Sequence, residues 1–191
     1  TREDEIVTYG TRGMEPYRGF PQFMEAVEKI QKKRPNTQFV IAGEDKVFYG
    51  EDSGISYKEK MINELDIDMD RVHFVGVLPF KDYINLLQVS SVHVYLSYPF
   101  VLSWSILNAM ATGCCIVASN TAPVTEVIKD KSNGLLTSFF NSKDIASKIN
   151  YALENKEKAI KIRKNARKTV LDKYELSMCL TKQIELIKEL I

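Results

Sequence analysis

The chain has 191 residues, with 26 Lys and Arg against 25 Asp and Glu, a net charge of +1 and 45% hydrophobic residues. That size and apolar share fit one soluble domain, or a domain with a helical tail. The balanced charge gives no electrostatic footprint for nucleic acid or an acidic membrane surface, and no apolar run approaches the ~20 residues that span a bilayer.

The chain opens at Thr1 without an initiator Met or an apolar signal segment and enters its first strand almost at once. It therefore reads as a domain excised from something longer, with nothing that suggests secretion. The cysteines, Cys114, Cys115 and Cys179, show no CxxC or Cys/His spacing. They read as buried apolar thiols in a reduced, cytoplasmic setting. Adjacent residues of a strand face opposite ways, so Cys114 and Cys115 cannot share one core layer.

The first apolar run, Ile6–Tyr9, leads into Gly10-Thr11-Arg12-Gly13-Met14-Glu15-Pro16-Tyr17-Arg18-Gly19. A helix follows, with Phe20, Phe23, Val27 and Ile30 at helical spacing and Pro21 in its first turn. Arg12 and Arg18 thus stand in one strand–helix loop. The guanidinium fork matches phosphate oxygens, so the pair reads either as a diphosphate clamp or as two solvated arginines. A second strand is expected over Gln38–Ala42. These glycines do not spell G-x-G-x-x-G, no acidic residue clearly ends the second strand, and no G-x-x-x-x-G-K-[ST] is present. Nicotinamide dinucleotide and P-loop sites are set aside on those grounds.

Gly50–Ser56 reads as a loop and Tyr57–Leu65 as a helix. Asp66, Asp68 and Asp70 imitate metal-binding DxD pairs, but they precede the strand Arg71–Val75. This puts them at the amino edge of the sheet, the wrong edge for a ligand, so they read as a capped, solvated turn. That strand ends in Phe74-Val75-Gly76-Val77-Leu78-Pro79, a loop that can offer backbone groups to a flat base or simply connect strand to helix. His73, here, and His93, in a later strand, have no Ser or Cys at a triad-like position and read as packed or edge residues.

A helix over Lys81–Val89 and a strand over Val92–Ser97 come next. Ser103 is a candidate N-cap, and Trp104, Ser105, Asn108 and Thr112 share one face of the helix that follows. A strand handing over to a helix start is a place for an anion, and an Asn on that face can hydrogen-bond a hydroxyl-bearing ligand; the alternative is a polar face turned to water. Strands over Cys115–Ala118 and Gly134–Leu136 complete six apolar runs. Strands alternating with helices define an α/β fold with a doubly wound parallel sheet, whose ligands bind beyond the carboxyl ends of the strands. From Asn141 onward the pattern is helical, and Leu176, Leu180, Ile184, Ile187 and Ile191 form a stripe expected to pack into the core.

Taken together, these motifs resemble one family. Tyr9-Gly10-Thr11-Arg12 with Tyr17-Arg18-Gly19 is similar to a "G-R … K/R-G" opening, with the basic residues six positions apart. Phe74-Val75-Gly76-Val77-Leu78 resembles an "F-x-G" base-binding strand end. Tyr98–Ala111, then Gly113, Ala118, Ser119 and Glu126-Val127-Ile128, resemble "E-G-F-G-L-x-x-x-E-A-M-A-x-G-x-P-V-V-A-S … P-E-V-I", and Asn133-Gly134-Leu135-Leu136 matches "N-G-L-L". Each motif is weak singly, but the ordered set spans nearly the whole chain. It is similar to the C-terminal, donor-binding domain of a GT-B glycosyltransferase of group 1, akin to family four.

The resemblance implies a Rossmann-like domain over 1–141, C-terminal helices over 142–191 packing on it, and an N-terminal acceptor domain absent from this chain. It implies a retaining, metal-independent hexosyl transfer, with no cofactor, from a UDP- or GDP-linked sugar to a glycan, lipid or protein. An isolated half is expected to be inactive, and any peripheral membrane contact would come through the other domain. Arg12 and Arg18 stand where the family binds the donor diphosphate and stabilises charge on the leaving group. Gly10 belongs to the same opening. Leu102, Ser103 and Trp104 stand where backbone amides meet phosphates and sugar, and Val77 and Leu78 beside the base. The family's first glutamate falls at Phe100 and its second, which accepts from the ribose hydroxyls, at Asn108. One amide oxygen serves both hydroxyls less well than a carboxylate, so weakened ribose binding is expected. Two alternatives are a sugar-nucleotide epimerase of the same architecture, whose acid/base constellation is not evident, and a nucleotide-sugar-binding module without catalysis. A flavodoxin-like regulator lacks its acidic cluster after the first strand.

Overall fold

The structure is a computed structural model that describes residues 4–49, 54–99 and 102–190. Six parallel strands, β1 (Ile6–Gly13), β2 (Gln38–Glu44), β3 (Val72–Gly76), β4 (Val92–Tyr95), β5 (Ile116–Ser119) and β6 (Leu135–Thr137), form one sheet in the order β3-β2-β1-β4-β5-β6. The order reverses between β1 and β4, which makes the carboxyl ends of those strands the topological switch point where such sheets take ligands. The helices are α1 (Phe20–Gln31), α2 (Tyr57–Glu64), α3 (Phe80–Val89), α4 (Trp104–Ala111), α5 (Ala122–Val127), α6 (Ser142–Glu154), α7 (Lys156–Lys173) and α8 (Leu176–Glu189).

Alternation along the strands sorts the core into two layers, as the two-residue period of a strand requires. Val7, Tyr9, Val92, Val94, Cys115 and Val117 point into one layer with α1 and α6. Tyr95, Cys114, Ile116 and Ala118 point into the other with Leu87 of α3 and Ile106 and Met110 of α4. The expected division of the two cysteines is met. Both thiols are buried, and burial pushes that of Cys115 up to about 12. The acidic turn is structural: Asp68 accepts from the Asp70 backbone N–H at 3.1 Å and from Arg71 Nε at 2.7 Å. His73 lies exposed on the edge strand β3, 2.8 Å from Gln38 Oε1, and His93 is packed inside.

The structure corrects three expectations. β1 continues to Gly13, pairing with β2 up to Glu44, so Arg12 lies in the strand and only Arg18 in the connection that follows. β2 does end on an acidic residue, Glu44, because the chain stays extended two residues beyond Ala42. The case against a nicotinamide dinucleotide therefore rests on the glycine pattern alone. The C-terminal stripe also behaves differently from its neighbours. α6 packs along α1 and α7 along α4, but α8 buries no residue: Leu176 is 76% exposed and Ile187 57%. Helical periodicity shows that a helix has an apolar face, not which surface covers it. Ile191 lies outside the described residues.

Candidate functional site

The β1–α1 connection is shaped by its glycines. β1 and β2 slip register between Gly10 and Gly13, which brings the two strand ends very close. A Cβ at Gly13 would stand 2.5 Å from the Lys46 carbonyl oxygen, and one at Gly43, whose φ is +148°, would stand 2.4 Å from that of Thr11. Only glycine fits either place. Past this bulge the chain turns through Glu15 and a short 3-10 turn, Pro16–Arg18, into α1.

Glu15 organises the wall facing that turn. Its carboxylate is 1% exposed and accepts from the backbone N–H groups of Phe48, at 2.6 Å, and Tyr49, at 2.8 Å. It also lies 3.9 Å from Arg18 Nε. The two rings so placed each carry an arginine: Arg12 stands 4.2 Å from the Phe48 centroid and Arg18 5.7 Å from that of Tyr49. A cation over an aromatic face keeps its guanidinium directed while its N–H edge stays available.

At the β4–α4 connection Ser103 is the N-cap, accepting from the Ser105 backbone N–H at 3.3 Å, as the sequence predicts. Its own backbone N–H donates to Tyr95 Oη at 3.1 Å. That bond ties the helix start to β4.

These pieces enclose a cleft of about 450 Å³ at the carboxyl edge of β1 and β2, lined by Gly10, Arg12, Glu44, Phe48, Val77, Leu78, Tyr83 and Ser103 among others. A second cleft of about 490 Å³ adjoins it across Phe48 and is lined by Tyr17, Arg18, Tyr49, Tyr98 and Pro99. Of the residues expected at the site, Gly10, Arg12, Val77, Leu78 and Ser103 therefore meet in one cavity, and Arg18 faces the neighbouring one. Leu102, Trp104 and Asn108 do not line either. Leu102 packs into the second core layer, the Trp104 side chain is 83% exposed, and Asn108 is half-buried on α4. Thr112, expected beside Asn108 on a ligand-facing side, turns its Oγ1 back to the helix carbonyls of Asn108 and Ala109, both at 3.0 Å. Phe100 lies outside the described residues. Asn133 of the N-G-L-L motif is a brace: its Nδ2 donates to the Val127 carbonyl at 3.0 Å and its Oδ1 accepts from the Lys129 backbone N–H at 2.6 Å.

Nothing in the sequence singles out Phe48, Glu44 or Tyr83 as cleft residues. The one available signal is position, since Glu44 ends β2, Phe48 follows it and Tyr83 follows β3, all on the carboxyl side of the sheet. Among the described residues no cluster of three or more His, Cys, Asp or Glu could hold a metal ion, and no helix is long and apolar enough to cross a membrane.

A six-stranded parallel, Rossmann-like sheet with a glycine-shaped cleft beyond the carboxyl ends of β1 and β2 has the architecture of one half of a GT-B protein. The family model for glycosyl transferases group 1 matches residues 2–169, and the chain belongs to that family. It is 28% identical over 155 residues to the N,N'-diacetylbacillosaminyl-diphospho-undecaprenol alpha-1,3-N-acetylgalactosaminyltransferase of Campylobacter jejuni, across 81% of this chain and 37% of that enzyme. HepE of Anabaena, solved in complex with UDP-glucose, shares the fold with a TM-score of 0.84 at 22% identity, over 97% of this chain and 49% of that one. The C-terminal domain of the group 1 protein LpcC from Francisella tularensis gives 0.76 at 22% identity, over 91% and 88%. The chain thus spans less than half the length of the first two and most of the excised domain.

Proposed function

We propose that this chain is the donor-binding half of a retaining, hexosyl-transferring glycosyltransferase. The nucleoside diphosphate of a UDP- or GDP-linked sugar occupies the cleft of about 450 Å³. The observation that carries this reading is the meeting in that one cavity of a cationic side chain, Arg12, a helix start capped by Ser103 and the loop residues Val77 and Leu78. Cation and helix start suit a diphosphate, and an apolar loop end suits a base.

In this reading Arg12 bonds the diphosphate, and Arg18, across the Phe48 wall, takes the side nearer the sugar. When the glycosidic bond breaks, negative charge grows on the leaving diphosphate, and fixed guanidinium groups there lower the barrier. The backbone amides of Ser103 and Trp104 add neutral donors, Leu102 sets the loop by packing beneath it, and Asn108 bonds the ribose. The arginines supply the charge stabilisation without a metal. The acceptor, a glycan, lipid or protein, is bound by a second domain, and this chain alone binds donor without turning it over. Asn108, at the position of the family's glutamate, favours one second reading, a module that binds nucleotide sugar without cleaving it.

A thermal-shift panel of nucleotides tests the proposal, because a ligand that binds only the folded state raises its melting temperature. UDP or GDP should raise it, and the matching nucleoside should do so far less. A panel in which no nucleoside diphosphate shifts the transition contradicts the reading. Donor hydrolysis by a protein holding both halves then separates the enzyme from the binding module.

A further inference from the structure

Two buried polar atoms beneath the cleft have no partner. His93 of β4 is wholly buried; its Nδ1 lies 2.8 Å from Thr8 Oγ1, itself 2.7 Å from Ser90 Oγ, while its Nε2 bonds nothing. Tyr83 of α3 lines the cleft, yet its Oη is also buried and unbonded. The two converge on Gly10, another cleft residue. A Cβ there would stand 3.5 Å from His93 Cε1, 3.3 Å from Tyr83 Cε2 and 4.0 Å from Tyr83 Oη. Buried polar groups in folded proteins are nearly always paired, because leaving one unpaired forfeits its bond to water without a replacement. Two of the four such side-chain atoms among the described residues adjoin this one glycine. Tyr83 and Gly10 both line the cleft, so a ligand atom seated beside Gly10 would give the Tyr83 hydroxyl its nearest partner.

We propose that Tyr83, backed by His93, forms a neutral hydrogen-bonding floor that takes an uncharged oxygen of the nucleoside, a ribose hydroxyl or a base carbonyl, and not a phosphate. This rests on the nucleoside-diphosphate reading above. Tyr83 presents the contact, and His93, its ring fixed by Thr8, is a positioning residue behind it. Neither group offers a positive charge to a phosphate. Burial pushes the His93 imidazole down to about 4 and the Tyr83 phenol above its ordinary value, so both are uncharged at neutral pH. The cation of this cleft is Arg12. Tyr83 also lies on the helix that follows the Val77–Leu78 loop, the base side of the site.

Calorimetric titration of the 191-residue chain and its Tyr83→Phe variant with UDP and with inorganic pyrophosphate, together with urea unfolding of both free proteins, tests this. Tyr83→Phe removes one oxygen and keeps the ring, so it should fold. It should weaken UDP binding about 5–10-fold, the worth of one hydrogen bond, and leave pyrophosphate binding unchanged. The free variant should be as stable as the parent or more so, because an unsatisfied hydroxyl has been removed. With 2′-deoxy-UDP the loss persists if the base is the partner and vanishes if the 2′-hydroxyl is. Equal UDP affinity in the two proteins overturns the proposal, and if the free variant is also destabilised, the pair serves a structural water. Equal losses for UDP and pyrophosphate overturn it too, as a general distortion of the cleft. A parent chain that binds neither UDP nor GDP overturns the nucleoside-diphosphate reading and this inference with it.

Discussion

In the proposed reading Arg12 meets the diphosphate from the cleft wall, and Asn108, which lines neither cleft, meets the ribose from α4. Arg12 is exposed over Phe48 at the cleft, so its removal disturbs little packing while deleting a charge-assisted bond. Such bonds contribute about 1.5–3 kcal/mol, and Arg12→Ala should weaken UDP binding about 10–100-fold in a calorimetric titration, with the urea midpoint nearly unchanged. Asn108→Glu should act the other way and tighten UDP or GDP about 5–10-fold, because a carboxylate accepts with charge assistance from both ribose hydroxyls. Equal affinities for parent and Asn108→Glu would remove Asn108 from the site. At this scale the sequence was legible where chemistry and place coincide. Gly10, Arg12, Val77, Leu78 and Ser103 are residues of marked type at strand ends. Phe48, Tyr83 and Glu15 were not, because an aromatic or a lone acid in a loop or helix looks the same whether it faces core, ligand or water. The Trp104 ring is exposed and lines neither cleft; the role expected of that residue belongs to its backbone amide.

Among the elements, the stretch that follows β2 is braced at Phe48 and Tyr49 by a side chain from another connection. Glu15 holds the backbone of Phe48 and Tyr49, and those rings wall both clefts and stand beneath both arginines. Glu15→Ala removes the carboxylate that accepts from the Phe48 and Tyr49 N–H groups and should cost about 2–4 kcal/mol of stability in urea unfolding. Nucleotide affinity should fall as well, because Arg12 loses its platform. A variant that unfolds like the parent and binds UDP equally well would show that the wall holds without Glu15. Most strands and helices were legible to within a residue or two because each has a clear period and a clear stop, but β1 runs four residues past Tyr9, to Gly13. The length of β2 was not legible, since Gly43 and Glu44 lack the apolar alternation that marks a strand. The destination of α8 was not legible either, because a stripe at helical spacing states a need for cover without naming the surface that meets it.

For the molecule as a whole, stability should depend on pH through His93. Its pKa in the folded chain, about 4, lies below the ordinary 6.5, because burial disfavours the imidazolium. The unfolded chain therefore binds this proton first as pH falls. The associated stability is fully present above about pH 6.5 and is lost as pH drops toward 4, in all by about 3 kcal/mol. Glu5, whose carboxyl is lowered chiefly by its hydrogen bond from Arg34, loses stability in the same direction at lower pH. The His93 share is the difference between parent and His93→Gln in urea unfolding at pH 7, 5.5 and 4.5; parallel pH dependences in the two proteins would contradict it. The parallel sheet and its binding edge were legible as a whole because six apolar strands separated by helices leave few other topologies.

In the proposed reading a nucleoside diphosphate occupies the cleft between β1, β2 and the start of α4. A crystal structure of this chain grown with UDP tests it most directly. The predicted result is a diphosphate within hydrogen-bonding distance of Arg12 and the Ser103–Ser105 backbone, with uracil against Val77 and Leu78. UDP bound anywhere else on the domain, with this cleft empty, would contradict it.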